Sequence, residues 1–254
     1  GGIPVEKGLE SSRKEIEQLK TWIAESDNIV FFGGAGVSTE SNIPDFRSED
    51  GLYRQEYAYP PEVILSHTFY RRNPEEFFRF YRAKMIYPKA EPNPAHVALA
   101  ALERQGKLKS VITQNIDGLH QKAGSRTVRE LHGSVLRNYC EDCGKAYDVS
   151  FIMNAESIPR CSCGGIVKPD VVLYEESLDQ EVLNQAVADI SRADMLIVGG
   201  TSLSVYPAAG LIDYYKGSKL VLINRDATPR DQEADLVIRE RIGNVLSYCV
   251  DVNI

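Results

Sequence analysis

The stretch NIVFFGGAGVSTESNIPDFR, residues 28–47, decides the fold. Its first part, residues 29–32, combines β-branched and aromatic side chains, which is the pattern of a buried strand. Gly33, Gly34 and Gly36 follow, and glycine allows both a sharp turn and a close approach of the backbone to a ligand. A helix that begins at such a turn directs N–H groups at a phosphate. The stretch therefore predicts a strand followed by a phosphate-binding turn and a helix.

The match of this turn to the dinucleotide-binding fingerprint is incomplete. Thr39 stands where the fingerprint has its third glycine or alanine, and no acidic residue follows at the usual distance for binding a ribose. A glycine turn that binds no nucleotide is therefore an equal alternative at this point.

The composition limits the class of protein. A chain of 254 residues with 43% hydrophobic and 26% charged side chains suffices for one large domain with a small insert. The net charge of −7 argues against a nucleic-acid-binding surface and is compatible with a basic peptide partner. No apolar run is long enough to span a membrane and no apolar signal core lies near the first residue, so we expect a cytoplasmic protein. In a reducing compartment, the five cysteines should be thiols or metal ligands rather than disulfides.

Strand-like and helix-like segments alternate along most of the chain. This alternation predicts an α/β fold in which helices cover both faces of a parallel sheet. Segment 48–92, rich in aromatic residues, arginine and proline, predicts a helical module with a loop over the cleft, and segment 139–168, rich in cysteine and glycine, predicts a metal-binding module. The large domain would then comprise 9–47, 93–138 and 169–254. The predicted strands are 29–32, 110–113, 195–198, 220–223 and 236–238, and the predicted helices are 9–26, 94–106, 179–192 and 207–216.

Four cysteines form two closely spaced pairs, Cys140-x-x-Cys143 and Cys161-x-Cys163, with residues 144–160 between them. Two such knuckles can supply four thiolates to one tetrahedral zinc ion. A site filled by four cysteines leaves no open coordination position, so the predicted zinc is structural. The alternative, four free buried thiols, explains the pairing poorly.

Polar motifs follow the predicted strands at the ends where parallel sheets bind ligands. QNIDGLH (114–120), GGTSLSVYPAA (199–209) and Asn224 each follow a strand, and His132 lies in a short polar turn. Each has a simpler explanation. A histidine often serves only as a structural hydrogen-bonding group, Thr or Ser after a strand often caps a helix, and asparagine is common in turns.

Together, GAGVSTESNIPDFR, QNID, LHG, the four cysteines, KPDVVLY and GTSLSVYPAA occur in the order and approximate spacing of the sirtuin family of NAD-dependent protein deacylases. The chain resembles the bacterial type of this family from about Leu9 to its last residue. The resemblance implies a Rossmann-like NAD-binding domain, a small domain made of a zinc-binding and a helical module, NAD as co-substrate and one structural Zn²⁺. It also accounts for the incomplete fingerprint, because sirtuins cleave NAD rather than transfer its hydride.

The resemblance also implies roles for individual residues. His132 and Asn115 are the implied catalytic residues, Phe46 would shield the reacting ribose carbon, and Arg47 would bind the phosphates. Asp45, Ile116 and Asp117 would form the nicotinamide pocket. The implied cofactor site consists of Gly34, Ala35, Gly36, Thr39, Asp45, Phe46, Arg47, Gln114, Asn115, Ile116, Asp117, His132, Gly200, Thr201, Ser202 and Asn224.

By the family mechanism, the acyl-lysine oxygen attacks the anomeric ribose carbon and expels nicotinamide. His132, as general base, then activates the 2′-hydroxyl, and water completes the release of lysine and acyl-ADP-ribose. Val171, Val172 and Tyr174 belong to the implied edge strand 171–174, which would pair with the substrate peptide by β-augmentation. Acyl-lysine proteins or peptides are the implied partners. We expect no nucleic-acid or membrane partner and a monomeric protein.

Some positions depart from the family pattern. Asn42 replaces a common glycine, although asparagine tolerates positive φ. LYEE (173–176) replaces the usual phenylalanine-glycine-glutamate ending and leaves the peptide preference open. Tyr81 and Lys84 stand where sirtuins that remove succinyl or malonyl groups carry tyrosine and arginine. Lysine cannot bind a carboxylate with two parallel hydrogen bonds, as the guanidinium of arginine does. We therefore expect the protein to remove acetyl or other neutral acyl groups. Alternatively, both residues merely lie on a helix face.

Three other functions stay open. An ADP-ribosyltransferase on the same fold is the nearest alternative, although the intact LHG and QNID motifs favour deacylation. A dehydrogenase is disfavoured because the third glycine and the ribose acid are missing. A zinc-dependent nucleic-acid-binding module conflicts with the acidic net charge.

Overall fold

The computed structural model describes residues 11–45 and 57–254. In that part of the chain, no helix combines the length and the apolar character needed to cross a bilayer. The strands are β1 (Ile29–Gly33), β2 (Leu108–Thr113), β3 (Val128–Glu130), β4 (Gly133–Cys140), β5 (Ala146–Tyr147), β6 (Val167–Val171), β7 (Met195–Gly199), β8 (Leu220–Ile223) and β9 (Leu236–Ile238). The α-helices are α1 (Arg13–Glu25), α2 (Pro61–Ile64), α3 (His67–Arg72), α4 (Pro74–Lys84), α5 (Pro94–Arg104), α6 (Leu119–Lys122), α7 (Val149–Asn154), α8 (Gln180–Arg192) and α9 (Ile242–Cys249).

Six strands form a parallel sheet in the order β3-β2-β1-β7-β8-β9. β1 lies in the middle, hydrogen-bonded to β2 on one side and to β7 on the other. The strand order reverses between β1 and β7. At such a switch point, the connections leave the carboxyl ends of the two strands in opposite directions and open a crevice for a ligand.

Alternate residues of β1 enter separate hydrophobic clusters on the two faces of this sheet. Ile29 and Phe31 pack with α1, α5 and α9, whereas Val30 and Phe32 pack with α8 and the 3₁₀ segment Ala208–Tyr214. All five residues of β1 are buried. The prediction that helices cover both faces of a parallel sheet is confirmed.

A three-stranded antiparallel sheet, in the order β5-β4-β6, forms a second centre of packing. Its inner side packs against α3 and α4 through a cluster rich in aromatic rings. The ring of Tyr70 contacts those of Phe77 and Phe78, and its hydroxyl donates to Glu141, which lies between the cysteines of the first pair. The buried members of the cluster include Tyr57, Phe69, Tyr70, Phe77, Phe78, Phe80, Tyr81, Cys140, Cys161, Val167 and Val171.

The structure corrects several predicted elements. α1 begins at Arg13, and the segment predicted as helix 207–216 is a 3₁₀ helix. The predicted strand 171–174 is wrong, because β6 ends at Val171 and only an isolated bridge joins Tyr174 to Ser66. β3 and the small sheet were not predicted, because β3 and β5 are only three and two residues long and β4 lacks a clear alternation of apolar and polar residues.

Candidate active site

Two adjoining cavities open at the carboxyl edge of the parallel sheet. The larger, of about 360 Å³, reaches from the ends of β1 and β2 to the small sheet, and the smaller, of about 240 Å³, lies beyond β1, β7 and β8. Asp45 lines both. The larger cavity contains the predicted residues Ala35, Gln114, Asn115, Ile116, Asp117, His132, Val171, Val172 and Tyr174. The smaller contains Gly36, Thr39, Gly200, Thr201, Ser202 and Asn224. Phe46 and Arg47 lie outside the described residues.

The glycine turn after β1 lies where it was predicted, but the helix predicted to follow it is wrong. Two short 3₁₀ turns, Ala35–Val37 and Thr39–Ser41, take its place. The N–H of Gly36 donates to the carbonyl of Gly200 at 2.8 Å, and a Cβ on Gly36 would lie 2.7 Å from the Cα of Gly200. Contact between the ends of β1 and β7 therefore requires this glycine. Asn42 has φ +65°, so it does adopt the conformation that glycine favours.

His132 is held from two sides at the larger cavity. Its Nδ1 lies 2.9 Å from the carbonyl oxygen of Gln114, and its own carbonyl accepts the N–H of Val172 at 2.9 Å. A carbonyl oxygen only accepts, so Nδ1 carries the proton, and the lone pair of the neutral ring lies on Nε2. Gly133 follows with φ +80°, and a Cβ there would lie 1.9 Å from the carbonyl oxygen of Asp170. The glycine of the LHG motif is thus required by the packing of β6.

The polar segment after β2 is fixed to the glycine turn. The N–H of Gln114 donates to the carbonyl of Gly33 at 3.0 Å, and Nδ2 of Asn115 donates to the carbonyl of Gly34 at 2.8 Å. The N–H of Asn115 donates in turn to Oγ1 of Thr113. These bonds orient the Gln114 carbonyl, which accepts the hydrogen bond from Nδ1–H of His132.

The carboxylate of Asp117 is held by two donors. The hydroxyl of Ser38 donates to Oδ2 at 2.6 Å, and the N–H of Leu119 donates to Oδ1 at 2.9 Å. Each carboxylate oxygen has a second lone pair, so Asp117 keeps acceptor capacity toward the larger cavity that it lines.

Two buried histidines, His96 and His120, were given no role from the sequence, although His120 ends the QNIDGLH motif. His96 accepts the N–H of Asn93 at Nδ1 (3.1 Å), and its Nε2 lies 3.4 Å from Oγ of Ser38. The ring of His120 lies 4.8 Å from that of His96, centroid to centroid. Burial lowers the pKa of His96 to about 4 and that of His120 to about 3. A signal was present for His96, because Asn-Pro-x-His at a helix start forms a capping box.

The side chain of Asn224 spans the ends of β7 and β8. Its Oδ1 accepts the N–H of Thr201 at 3.0 Å, while its buried Nδ2 has no hydrogen-bond partner among the described residues. A buried amide donor is costly to leave unpaired, so this atom fits a ligand acceptor. The same cavity also contains residues that the sequence did not single out, namely Glu40, Arg225, Asp226, Thr228, Glu240 and Arg241.

Tyr81 and Lys84 occupy different environments. Tyr81 is fully buried and stacks on Phe77, with ring centroids 5.7 Å apart, inside the aromatic cluster. Lys84 lines the larger cavity beside Met85 and Ile86. Tyr81 is therefore a core residue, and Tyr81 and Lys84 do not together form a binding site for a carboxylate.

The four cysteines of the two pairs come together as predicted. All four Sγ atoms lie within 4.8 Å of one another, and the pairs Cys140–Cys163 and Cys143–Cys161 are each 3.5 Å apart. Tetrahedral zinc with Zn–S bonds of about 2.3 Å separates its sulfurs by about 3.8 Å, so the cluster fits one zinc ion. N–H groups at Asp142 and Cys143 point at the Cys140 sulfur, as expected for a thiolate.

Removing a zinc ligand should destabilise the fold. Cys143→Ser or chelation should lower the melting temperature by roughly 10 °C, because the metal joins the two knuckles around which the module packs. Zinc content and thermal melting measure the effect, with Ser162→Ala in the same module as the control that keeps all four sulfurs. Zinc-free protein that melts like the wild type would contradict this account.

The buried histidine pair should make the protein acid-sensitive. Both folded pKa values lie below the unfolded value of 6.5, so below pH 6.5 the unfolded chain binds more protons than the folded one. The free energy of unfolding should therefore be highest above pH 6.5 and fall as the pH drops toward 4, by up to about 1.4 kcal/mol per pH unit per histidine. Urea midpoints at pH 5 and pH 7 test this, and His120→Leu should reduce the difference. An equal pH dependence in both proteins would refute the assignment.

Comparisons with known proteins identify the family. The Sir2 family model matches residues 34–207. An NAD-dependent protein deacetylase of Clostridium acetobutylicum is 64% identical over 240 residues, which cover 93% of this chain and 98% of that protein. Another NAD-dependent protein deacetylase, from Clostridium perfringens, is 61% identical over 241 residues, covering 93% and 99%.

Solved structures of Sir2 proteins share the fold. A complex of a Sir2 homologue with NAD has a TM-score of 0.84 and 40% identity, covering 93% of this chain and 92% of that one. A Sir2 complex with an inhibitor, 2′-O-acetyl-ADP-ribose and a deacetylated peptide has a TM-score of 0.80 and 39% identity, covering 91% and 96%. With the family model matching most of its length, the chain belongs to the Sir2 family, the sirtuins.

Proposed function

We propose that this protein is an NAD-dependent protein-lysine deacetylase that transfers the acyl group of its substrate to ADP-ribose. The observation that carries the proposal is His132 at the larger cavity, with its Nδ1 bonded to the Gln114 carbonyl. Membership of the Sir2 family supports it, as do the similar clostridial proteins named as NAD-dependent protein deacetylases.

NAD would occupy the smaller cavity and the adjoining part of the larger one. The unpaired Nδ2 of Asn224 would donate to the adenosine ribose, near Thr201 and Ser202. The turn that contains Gly34, Ala35, Gly36 and Thr39 would lie along the phosphates and riboses, with Gly200 packed behind it. When bound, NAD supplies a ribose whose anomeric carbon accepts the acyl oxygen as nicotinamide leaves. Phe46 and Arg47 keep the roles that the family resemblance implies.

His132 would act as the general base. Its Nε2 lone pair can take a proton from a ribose hydroxyl, while Nδ1 keeps its hydrogen bond to the Gln114 carbonyl. That bond becomes charge-assisted as the ring gains a proton, and it thereby stabilises the imidazolium.

The segment after β2 would hold the nicotinamide ribose and ring. Asn115 is the second proposed catalytic residue, because its amide lies between the glycine turn and the cavity and can orient a water and the ribose. Asp117 would accept hydrogen bonds from the nicotinamide carboxamide, with Asp45 and Ile116 completing the pocket. Ser38 and Leu119 hold the Asp117 carboxylate in place for this role.

The substrate would be an acyl-lysine protein or peptide that pairs with the end of β6. β6 is an edge strand of the small sheet, and edge strands can add a peptide by backbone hydrogen bonds. Val171, Val172 and Tyr174 line the larger cavity at this edge. The acyl group would lie among apolar residues, and Lys84 offers a succinyl carboxylate no bidentate guanidinium, so acetyl should be preferred over succinyl.

We further propose the division into a Rossmann-like domain (9–47, 93–138 and 169–254), a helical module (48–92) and a zinc-binding module (139–168). The two sheets with separate hydrophobic clusters support it. A reducing, cytoplasmic setting is supported by the five cysteines, which form no disulfide. The monomeric state and the absence of nucleic-acid binding remain predictions from the sequence.

The test is incubation with NAD and an acetyl-lysine peptide, following peptide mass and nicotinamide release. The wild type should remove acetyl only when NAD is present, and should act at least tenfold more slowly on the succinyl-lysine peptide, a difference of about 1.4 kcal/mol. His132→Ala should lower turnover by about 10²- to 10⁴-fold, because a positioned base is lost. Its zinc content and melting temperature should match those of the wild type.

Other outcomes separate the alternatives. A peptide that gains ADP-ribose would indicate the transferase, and nicotinamide release without any change in peptide mass would overturn the choice of substrate. Near wild-type activity in His132→Ala would show that another group is the base.

A further inference from the structure

The loop after β6 contains a residue in an unusual backbone conformation. Glu175 has φ +76°, in the left-handed region that favours glycine. It stands in the LYEE segment, where the related family pattern has a glycine. A residue with a side chain persists in this region only when its surroundings hold it there.

The side chain of Glu175 is held by the start of α3. One carboxylate oxygen accepts the N–H of Thr68 at 2.9 Å, and the other accepts its hydroxyl at 3.0 Å. The bond from the backbone N–H of Thr68 has the largest effect on the pKa of Glu175, and the bond from its hydroxyl the next largest. Both lower this pKa, so the carboxylate is ionised at neutral pH. The contact joins two segments that are 107 residues apart in sequence.

Backbone hydrogen bonds hold both ends of the segment 172–174, which precedes Glu175. The N–H of Tyr174 donates to the carbonyl of Leu65, and the carbonyl of Tyr174 accepts the N–H of His67, each at 2.9 Å. Two residues earlier, the N–H of Val172 donates to the carbonyl of His132. Residues 172–174 therefore extend between the proposed base and the start of α3, along the wall of the larger cavity.

The side chain of Glu176 makes further contacts that hold the same loop. Its Oε1 accepts the N–H of Leu173 at 3.0 Å and lies 3.3 Å from Nζ of Lys168, while its Oε2 lies 2.8 Å from Nδ1 of His67. Glu176 thus contacts the loop, β6 and His67 of α3, whereas Glu175 contacts Thr68 of α3. The bonds between Glu175 and Thr68 can therefore be removed by changing a single exposed side chain, while the bonds of Tyr174 and Glu176 to His67 remain.

We propose that Glu175 is a positioning residue, which holds residues 172–174 against α3 so that the peptide-binding edge is formed before a substrate arrives. The inference rests on the proposed function, because it takes this edge as the docking site of the acyl-lysine peptide. Glycine at this position would relax the backbone but lose the bonds to Thr68. With glutamate, the backbone at this position is strained, but the peptide-binding edge is already formed. The preformed edge lowers the conformational cost of binding the peptide.

Steady-state kinetics of Glu175→Ala and Glu175→Gly test the proposal. Both variants should raise KM for the acetyl-lysine peptide by roughly 5- to 20-fold, because only part of the population then has the edge formed. kcat and KM for NAD should stay within about twofold, since the base and the smaller cavity are unchanged. Glu156→Ala, which removes an exposed carboxylate in the zinc-binding module, should match the wild type.

The glycine variant separates positioning from stability. Relief of the positive φ should let Glu175→Gly melt at or above the temperature of Glu175→Ala, and its peptide KM should still be raised. Wild-type peptide KM in both variants, or a fall in kcat with unchanged KM, would overturn the proposal.

A measurement without substrate distinguishes failure of the positioning role of Glu175 from failure of the proposed function. Amide hydrogen exchange at Tyr174 and His67 should be faster in both Glu175 variants than in the wild type and in Glu156→Ala. Unchanged exchange would overturn the positioning role. Absence of NAD-dependent deacetylation by the wild type would instead refute the proposed function, while faster exchange in the variants would still support the role of Glu175 in holding the loop.

Discussion

The hydrogen bond between Nδ1 of His132 and the carbonyl of Gln114 is the interaction on which the proposed site depends. A carbonyl oxygen cannot donate, so this bond fixes the tautomer and leaves the lone pair on Nε2. The Gln114 carbonyl is itself positioned by the bonds of Gln114 and Asn115 to the glycine turn after β1. The glycine-rich turn therefore also positions the proposed base, because the turn and the Gln114 carbonyl belong to one hydrogen-bonded framework.

The zinc cluster and His132 lie at opposite ends of the same strand. β4 begins directly after His132 and ends at Cys140, the first ligand of the cluster. β6, which pairs with β4, leads to Val172, whose N–H donates to the carbonyl of His132. A metal with no open coordination position can thus matter for turnover without taking part in the chemistry, because it fixes the sheet on which the base is mounted.

Much of the fold was predictable because it follows from local patterns. The five predicted strands appear in the parallel sheet, and the cysteine spacing anticipated the metal cluster. The roles of site residues came from the ordered family motifs rather than from composition. The buried His96–His120 pair and the Glu175–Thr68 contact were not foreseen. Each joins segments that are distant in sequence, and neither is indicated by a periodic spacing of apolar residues. The helix expected after the glycine turn is replaced by 3₁₀ turns, and Gly36 there contacts Gly200, a contact distant in sequence that a local pattern cannot reveal.

The most direct test of the central claim is the protonation of the His132 ring in solution. The chain has four histidines, so ¹⁵N NMR of the imidazole nitrogens is tractable, and the His132 signals can be assigned by their loss in His132→Ala. In the neutral ring, Nδ1 should carry the proton and Nε2 should have the shift of an unprotonated nitrogen. A proton on Nε2 with a bare Nδ1 would contradict the account, because the base would then face the substrate with no lone pair to offer.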